Sequence, residues 1–228
     1  PHEYDLSAAL APGAHRITLR IDNNIKYKVG GNAHSVTEHT QTNWNGVIGK
    51  IELRATDPVW IDSVQVFPHV QQRAATVKVQ INNATKASAK GAIHITVPGL
   101  TGAVESSFKV ARGSTKTIEA ELSLGANAKT WDEFAPNLYD LSVTMSAKGK
   151  KKAYADQKQT RFGLREMGRS GSHFAINGRP TFMRGNLECC IFPQTGYPAM
   201  DKEGWLRLFR IAREYGLNHI RYHSWCPP

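Results

Sequence analysis

A chain of 228 residues with 40% hydrophobic, 21% charged and 9% aromatic content can bury one or two ordinary cores, and this globular profile excludes a disordered or fibrous polymer. The formal charge of +10 raises the question of nucleic acid. Much of the excess, however, sits in Lys148, Lys150, Lys151, Lys152, Lys158, Arg161, Arg165 and Arg169, around the turn residue Gly149 and without interleaved aromatics, which reads as a solvated hairpin tip. No nucleic acid and no membrane are expected as partners. The opening residues Pro1 to Asp5 form neither a charged nor an apolar signal region, so an export signal lies upstream or is absent, and location stays unknown, with a periplasmic or extracellular setting favoured over a cytoplasmic one.

The first seventy residues alternate like half-buried strands. Ile17, Leu19 and Ile21 oppose Arg16, Thr18 and Arg20, after a turn signal at Leu10-Ala-Pro-Gly13 and before Asp22-Asn23-Asn24. A polar segment rich in Asn, His and Thr runs to Trp44-Asn45-Gly46, and two more strands are expected at Val47 to Arg54 and Trp60 to Phe67. These read as the last strands of an antiparallel sandwich over residues 1–69, whose opening strands are missing, leaving unpaired edges.

From about Gln71 the alternation restarts at Val77, Val79 and Ile81, at Ile93, Ile95 and Val97, at Ile118, Ala120, Leu122 and Leu124, and at Tyr139, Leu141, Val143 and Met145. Pro98-Gly99 and Gly125 supply turn chemistry, and the spacing fits an immunoglobulin-like sandwich over residues 70–163. No Cys-Trp-Cys signature is present, which excludes the antibody type.

A third segment, 164–228, opens with Phe174 and Ile176 leading into Asn177-Gly178, a two-residue hairpin signal. An extended run Arg179 to Gly185 follows as the next strand. A helix is predicted from Asp201, a good N-cap, to Tyr215, with Trp205, Leu208, Phe209 and Ala212 as its apolar stripe and Gly216 as its stop. Asn218 to His223 is then a second strand. One strand-helix-strand unit cannot cover both faces of a parallel pair, so the chain reads as part of something larger.

In a parallel α/β barrel the reactive end lies where strands finish, which singles out Asn186 and Glu188 after the first strand, and Arg221, His223 and Trp225 after the second. Such groups can hydrogen-bond sugar hydroxyls and stack on a pyranose face. Each also has a structural role open to it: Arg184 and Arg221 pairing with carboxylates, His223 satisfied in a core, Trp225 packed under a turn. Cys189, Cys190 and Cys226 provide no disulfide framework and match no paired zinc motif. Cys189 and Cys190 follow the first strand and Cys226 the second, an order that allows all three to gather near Glu188 and His223, where buried inert thiols are preferred over a soft-metal site, and no metal or cofactor is assigned.

Four motifs resemble glycoside hydrolase family 2, the family of β-galactosidases, β-glucuronidases and β-mannosidases. They are Tyr4-Asp-Leu with Leu10-Ala-Pro-Gly13 and Ile17 to Asn23; Trp44-Asn-Gly-Val-Ile-Gly-Lys-Ile-Glu-Leu53; Trp131 with Pro136-Asn-Leu-Tyr-Asp-Leu141; and Phe162-Gly-Leu-Arg-Glu166 with Phe174 to Gly185. The resemblance implies a multidomain, mainly β protein: the end of a jelly-roll sugar-binding domain, an immunoglobulin-like sandwich and the first βαβ unit of a (β/α)8 TIM barrel. It also implies sugar contacts at Asn186, Glu188, Arg221 and His223. Many members read Arg-Gly-x-Asn where this chain has Arg184-Gly185-Asn186, and His223 lies one place closer to Arg221 than in the family's Arg-x-x-His.

The family's two catalytic glutamates belong to later barrel strands, so no catalytic residue is assigned here and the chain alone is expected to be inactive. The preferred function is a portion of a retaining, β-galactosidase-like glycosidase acting on terminal β-linked sugars of glycans, with a homo-oligomer left open. The alternative is a non-catalytic carbohydrate-binding or scaffold protein built of β-sandwiches.

Overall fold

The computed structural model describes residues 2–227 apart from 23, 26–27, 35, 38, 40–45, 48, 101, 151 and 224. The chain divides into two compact units, one made of residues 52–184 and the other of residues 1–51 with 185–228.

The first unit is a sandwich of seven strands: β1 (Val59–His69), β2 (Ala74–Asn83), β3 (Ala89–Thr96), β4 (Ala103–Val110), β5 (Ser114–Ser123), β6 (Tyr139–Lys148) and β7 (Ala153–Phe162). They form two antiparallel sheets, β1-β2-β5 and β4-β3-β6-β7. The predicted alternations drive this arrangement. Val77, Val79 and Ile81 of β2, Ile93 and Ile95 of β3, Leu122 of β5, and Leu141 and Val143 of β6 are fully buried between the sheets, while their sequence neighbours face outward. The expected antiparallel β-sandwich forms, with one correction to its bounds. The strand expected at Trp60 to Phe67 pairs with β2 from Val59↔Asn83 to His69↔Ala74, so it opens this sandwich, and the boundary drawn at 69/70 falls inside a hairpin.

Along one side of the sandwich the edge strands β1 and β7 are bridged by carboxylates. Ile61 N–H, at a register shift in β1, donates to Asp156 Oδ2 on β7 at 2.8 Å, and Ala155 N–H of β7 donates to Asp57 Oδ2 at 2.9 Å. Edge backbone groups that no ladder reaches are thereby satisfied.

Beyond β7, strands β8 (Met167–Ser170), β9 (His173–Ile176) and β10 (Arg179–Pro180) form a small antiparallel sheet. Its tight turn is the predicted Asn177-Gly178, with φ of 52° and 79°, the left-handed pair that a two-residue hairpin needs. Trp131 fastens this hairpin to the sandwich. Its N–H donates to Leu164 O at 2.9 Å and its carbonyl accepts from Asn177 Nδ2 at 2.9 Å; Arg165 lies over its ring at 4.5 Å. Asn177 Oδ1 in turn accepts from Glu166 N at 2.9 Å. At Gly163 a Cβ would meet three Trp131 atoms at 3.0 Å, so a glycine lets the ring lie on the backbone.

The second unit contains β11 (Gly185–Glu188), α1 (Lys202–Glu214) and β12 (His219–Tyr222). The two strands pair in parallel, from Gly185↔His219 to Glu188↔Tyr222, and the ladder runs one step further as His223 N–H donates to Glu188 O at 2.9 Å. The helix begins and ends where its caps require. Asp201 Oδ1 accepts from Gly204 N at 2.7 Å, Glu203 sits in the first turn, and Gly216 at φ 76° donates to Arg213 O at 2.9 Å.

Three expectations are corrected in this unit. The first strand is Gly185–Glu188 rather than Arg179 to Gly185, because Arg179–Pro180 is consumed as the return strand of the Asn177-Gly178 hairpin. Of the predicted stripe only Trp205 is buried; Phe209 is 41% exposed, since no described layer covers that side of the helix. The strands expected at Arg16 to Ile21 and Val47 to Arg54 do not form: among the described residues before Val59 none is in a strand, and Ile17 and Ile51 are 59% and 70% exposed. Alternation specifies a face only when a neighbouring strand supplies the ladder, and none does so there. The jelly-roll expectation for residues 1–69 therefore finds no sheet among the described residues before Val59, and its Asn23, Trp44, Asn45 and Ile48 lie outside the described residues.

Candidate functional site

Side chains alternate along each strand, and residues paired across a parallel ladder project to one side. Asn186 and Glu188 therefore share a face with Ile220 and Tyr222, whereas Arg221 shares the opposite face with Leu187. The Tyr222 face is the one turned to the helix, since its ring meets Trp205 of α1 at 5.9 Å. The five sugar-binding candidates do not converge on one point: Asn186 and Glu188 lie on the helix side, Arg221 projects from the other side, and His223 and Trp225 follow β12. Nor do Asn186, Glu188 and Arg221 lie after the strands, as expected; all three are within them.

Glu188 is the most constrained of the five. Its Oε1 accepts the backbone N–H of Cys190 at 2.9 Å, while its Oε2 is sealed from solvent and has no hydrogen-bond partner among the described residues. Cys190, which adopts φ 60°, is 2% exposed. Burial pushes its thiol up to about 12, helped by the charges of Glu188 and Cys189. Burial, then Glu188, also raises the Tyr222 phenol. Both shifts favour the protonated form, as burial beside a carboxylate requires.

An aromatic cluster stands over this face. Tyr222 and Trp225 meet edge to face at 5.4 Å, Trp225 lies 6.1 Å from Trp205, and Phe192 packs edge to face on Trp225 at 6.0 Å. Trp205 Nε1 donates to Ala199 O at 2.8 Å, which fixes the ring at the helix start. Sequence alone singles out Trp225 for binding and places Trp205 in the helix stripe; parity along β12 brings Tyr222 in, and that parity follows from the ladder. His223 meets His34 edge to face at 4.5 Å, and His34 is buried. His34 lay unremarked in the polar segment because nothing local marks it.

The three cysteines differ in burial. Cys190 is buried, Cys189 half-buried and Cys226 exposed, and no group of three or more His, Cys, Asp or Glu is placed to hold a metal ion among the described residues. Arg184, the other strand-end arginine, is held by Glu133 at 2.9 Å within the sandwich unit, the paired role left open for it. No described helix is long and apolar enough to cross a membrane.

The chain thus combines a two-sheet sandwich with a fastened hairpin and a parallel strand-helix-strand unit. Residues 59–165 match the family model for glycosyl hydrolases family 2, the family its motifs resemble. It superposes on a GH2 β-galacturonidase from Eisenbergiella tayi with a TM-score of 0.65 at 16% identity, covering 75% of this chain and 29% of that one. The exo-chitosanase CsxA of Amycolatopsis orientalis follows at TM-score 0.61 and 19% identity, covering 77% and 21%. A β-glucuronidase of Bacteroides uniformis gives 0.52 and 24%, covering 73% and 20%. At these identities the likeness is one of fold, and the chain spans less than a third of each of these structures.

Proposed function

We propose that this chain is part of a retaining β-glycosidase that releases terminal β-linked sugars from glycans, with β11-α1-β12 as the opening repeat of a (β/α)8 barrel. The observation that carries this reading is the family 2 match over 59–165 combined, in the same chain, with a parallel strand-helix-strand unit. In a barrel the helices cover the outside, so the face bearing Arg221 is the lumen side. Arg221, with His223 and Trp225 beyond the strand, then holds sugar hydroxyls and the pyranose face. Asn186 and Glu188 support the strand ends from the helix side and reach substrate only through the loop at Cys189 and Cys190.

Retaining hydrolysis needs two carboxyl groups about 5 to 5.5 Å apart. The strand pair carries one, Glu188, so the working pair belongs to other barrel strands. The substrate panel follows from the resemblance and from the named neighbours: 4-nitrophenyl β-galactoside, β-glucuronide, β-galacturonide and β-glucosaminide. A protein carrying the complete barrel should hydrolyse one of these with retained anomeric configuration, read by proton NMR, and residues 1–228 alone should hydrolyse none. Inversion by the former, or turnover by the latter, refutes the proposal.

A further inference from the structure

The exposed face of the β4-β3-β6-β7 sheet carries a row of like charges that the fold makes no attempt to neutralise. Lys90 pairs directly with Lys109 on one side and with Lys148 on the other, so three lysines stand side by side on three neighbouring strands. All three are exposed, and adjacent strands are about 4.8 Å apart, so the ammonium groups are spaced over about 10 Å. Like charges directly opposite destabilise a sheet. The arrangement is reinforced rather than relieved, because Lys150 and Lys152 follow in the β6–β7 turn, whose Gly149 N–H donates to Lys152 O at 2.9 Å. The segments 84–90, 109–113 and 146–153 that build this end contain no Asp or Glu.

Carboxylates elsewhere on the sheet are engaged or distant. Asp57 and Asp156 bond the backbone N–H groups of Ala155 and Ile61, Asp140 is paired with Arg161 at 2.7 Å, and Glu105 stands opposite His94, two rows down the same face. None of the three row lysines has an ion pair among the described residues.

We propose that this row is a docking surface for a linear acidic polysaccharide bearing one carboxylate or sulfate per sugar. Charge complementarity selects a polyanion, and the surroundings select among polyanions. The next row on the same face is Ser107, Ala92 and Ser146, a flat shelf of small side chains and hydroxyls that lets a sugar chain lie close. It offers no aromatic ring on which bases would stack and no helix or arm to enter a duplex groove. The inference stands apart from the glycosidase reading, because the row belongs to the sandwich and its readout is binding.

The test uses the intact chain with polygalacturonate as the probe, measured by affinity electrophoresis and calorimetry in 50 mM salt, with uncharged galactan and a DNA duplex as the other arms. The parent should bind polygalacturonate and not galactan, and K90Q/K109Q/K148Q should weaken that binding by about tenfold or more, three exposed charge contacts each contributing about two- to fivefold. A charge-matched K116Q/K129Q/K202Q variant should retain parent affinity. The row variant should also melt no lower than the parent at low salt, since it removes like-charge crowding. Absence of polygalacturonate binding, equal loss in both variants, tighter binding of the duplex than of polygalacturonate, or a lower melting temperature for the row variant would overturn the proposal.

Discussion

Asp156→Ala is the substitution whose cost the structure defines best. Asp156 Oδ2 accepts the N–H of Ile61 at 2.8 Å, and Ile61 is 3% exposed, so the freed N–H has no water to turn to. Leaving a buried donor unmade costs about 1–3 kcal/mol. The second bond, from Gln157 N to Oδ1, is exposed and replaceable by solvent, so it adds little. Within a chain of this size each kcal/mol shifts the midpoint by about 2–4 °C, so the melting temperature should fall by about 2–12 °C. Asp156→Asn keeps one acceptor and should cost less than the alanine variant. Asp57→Ala provides the contrast: it also removes a carboxylate from an edge N–H, but that of Ala155 is exposed, and its effect should stay within about 0.5 kcal/mol. Thermal melts at pH 7 followed by tryptophan fluorescence report on this directly, because Trp60 adjoins Ile61 in β1. Equal effects of Asp156→Ala and Asp57→Ala would refute the argument that burial of the donor sets the cost.

Leu141→Ala removes a fully buried side chain near the start of β6 and should destabilise the sandwich by about 2–5 kcal/mol in urea titration, with Ser142→Ala beside it close to neutral. Cys190 should resist alkylation by iodoacetamide at pH 8 in the folded chain while the exposed Cys226 reacts, as mass spectrometry of digested protein will read. The same thiol sets an alkaline limit. Its folded pKa is raised from 9.0 to about 12, so its contribution is complete below pH 9 and is lost as the pH climbs between those values, a decline that Cys190→Ala should flatten.

The sandwich strands were legible because burial between two sheets imposes a period of two that residues such as Val77, Ile93 and Leu141 display without ambiguity. The helix was legible from its ends, since Asp201 and Gly216 act locally. What local pattern could not settle was pairing. Ile17, Leu19 and Ile21 alternate as cleanly as Val77, Val79 and Ile81, yet only the second set finds a ladder, because the partner is specified by residues far away in sequence. The same limit applied at Arg179: the Asn177-Gly178 turn demands a return strand, and honouring it moves the next strand to Gly185. The candidate site suffered most, because which of Asn186, Glu188, Arg221 and Tyr222 share a side depends on the register of β11 against β12, a non-local quantity.

The motif residues Trp131, Gly163, Arg165 and Asn177 meet in one knot whose Asn177 to Trp131 bond spans 46 positions of sequence. Such a fastening removes a joint. With the hairpin lashed to the sandwich at Asn177, and Arg184 held by Glu133, residues 165–184 belong to that unit as a stiff bracket and not as a free tether.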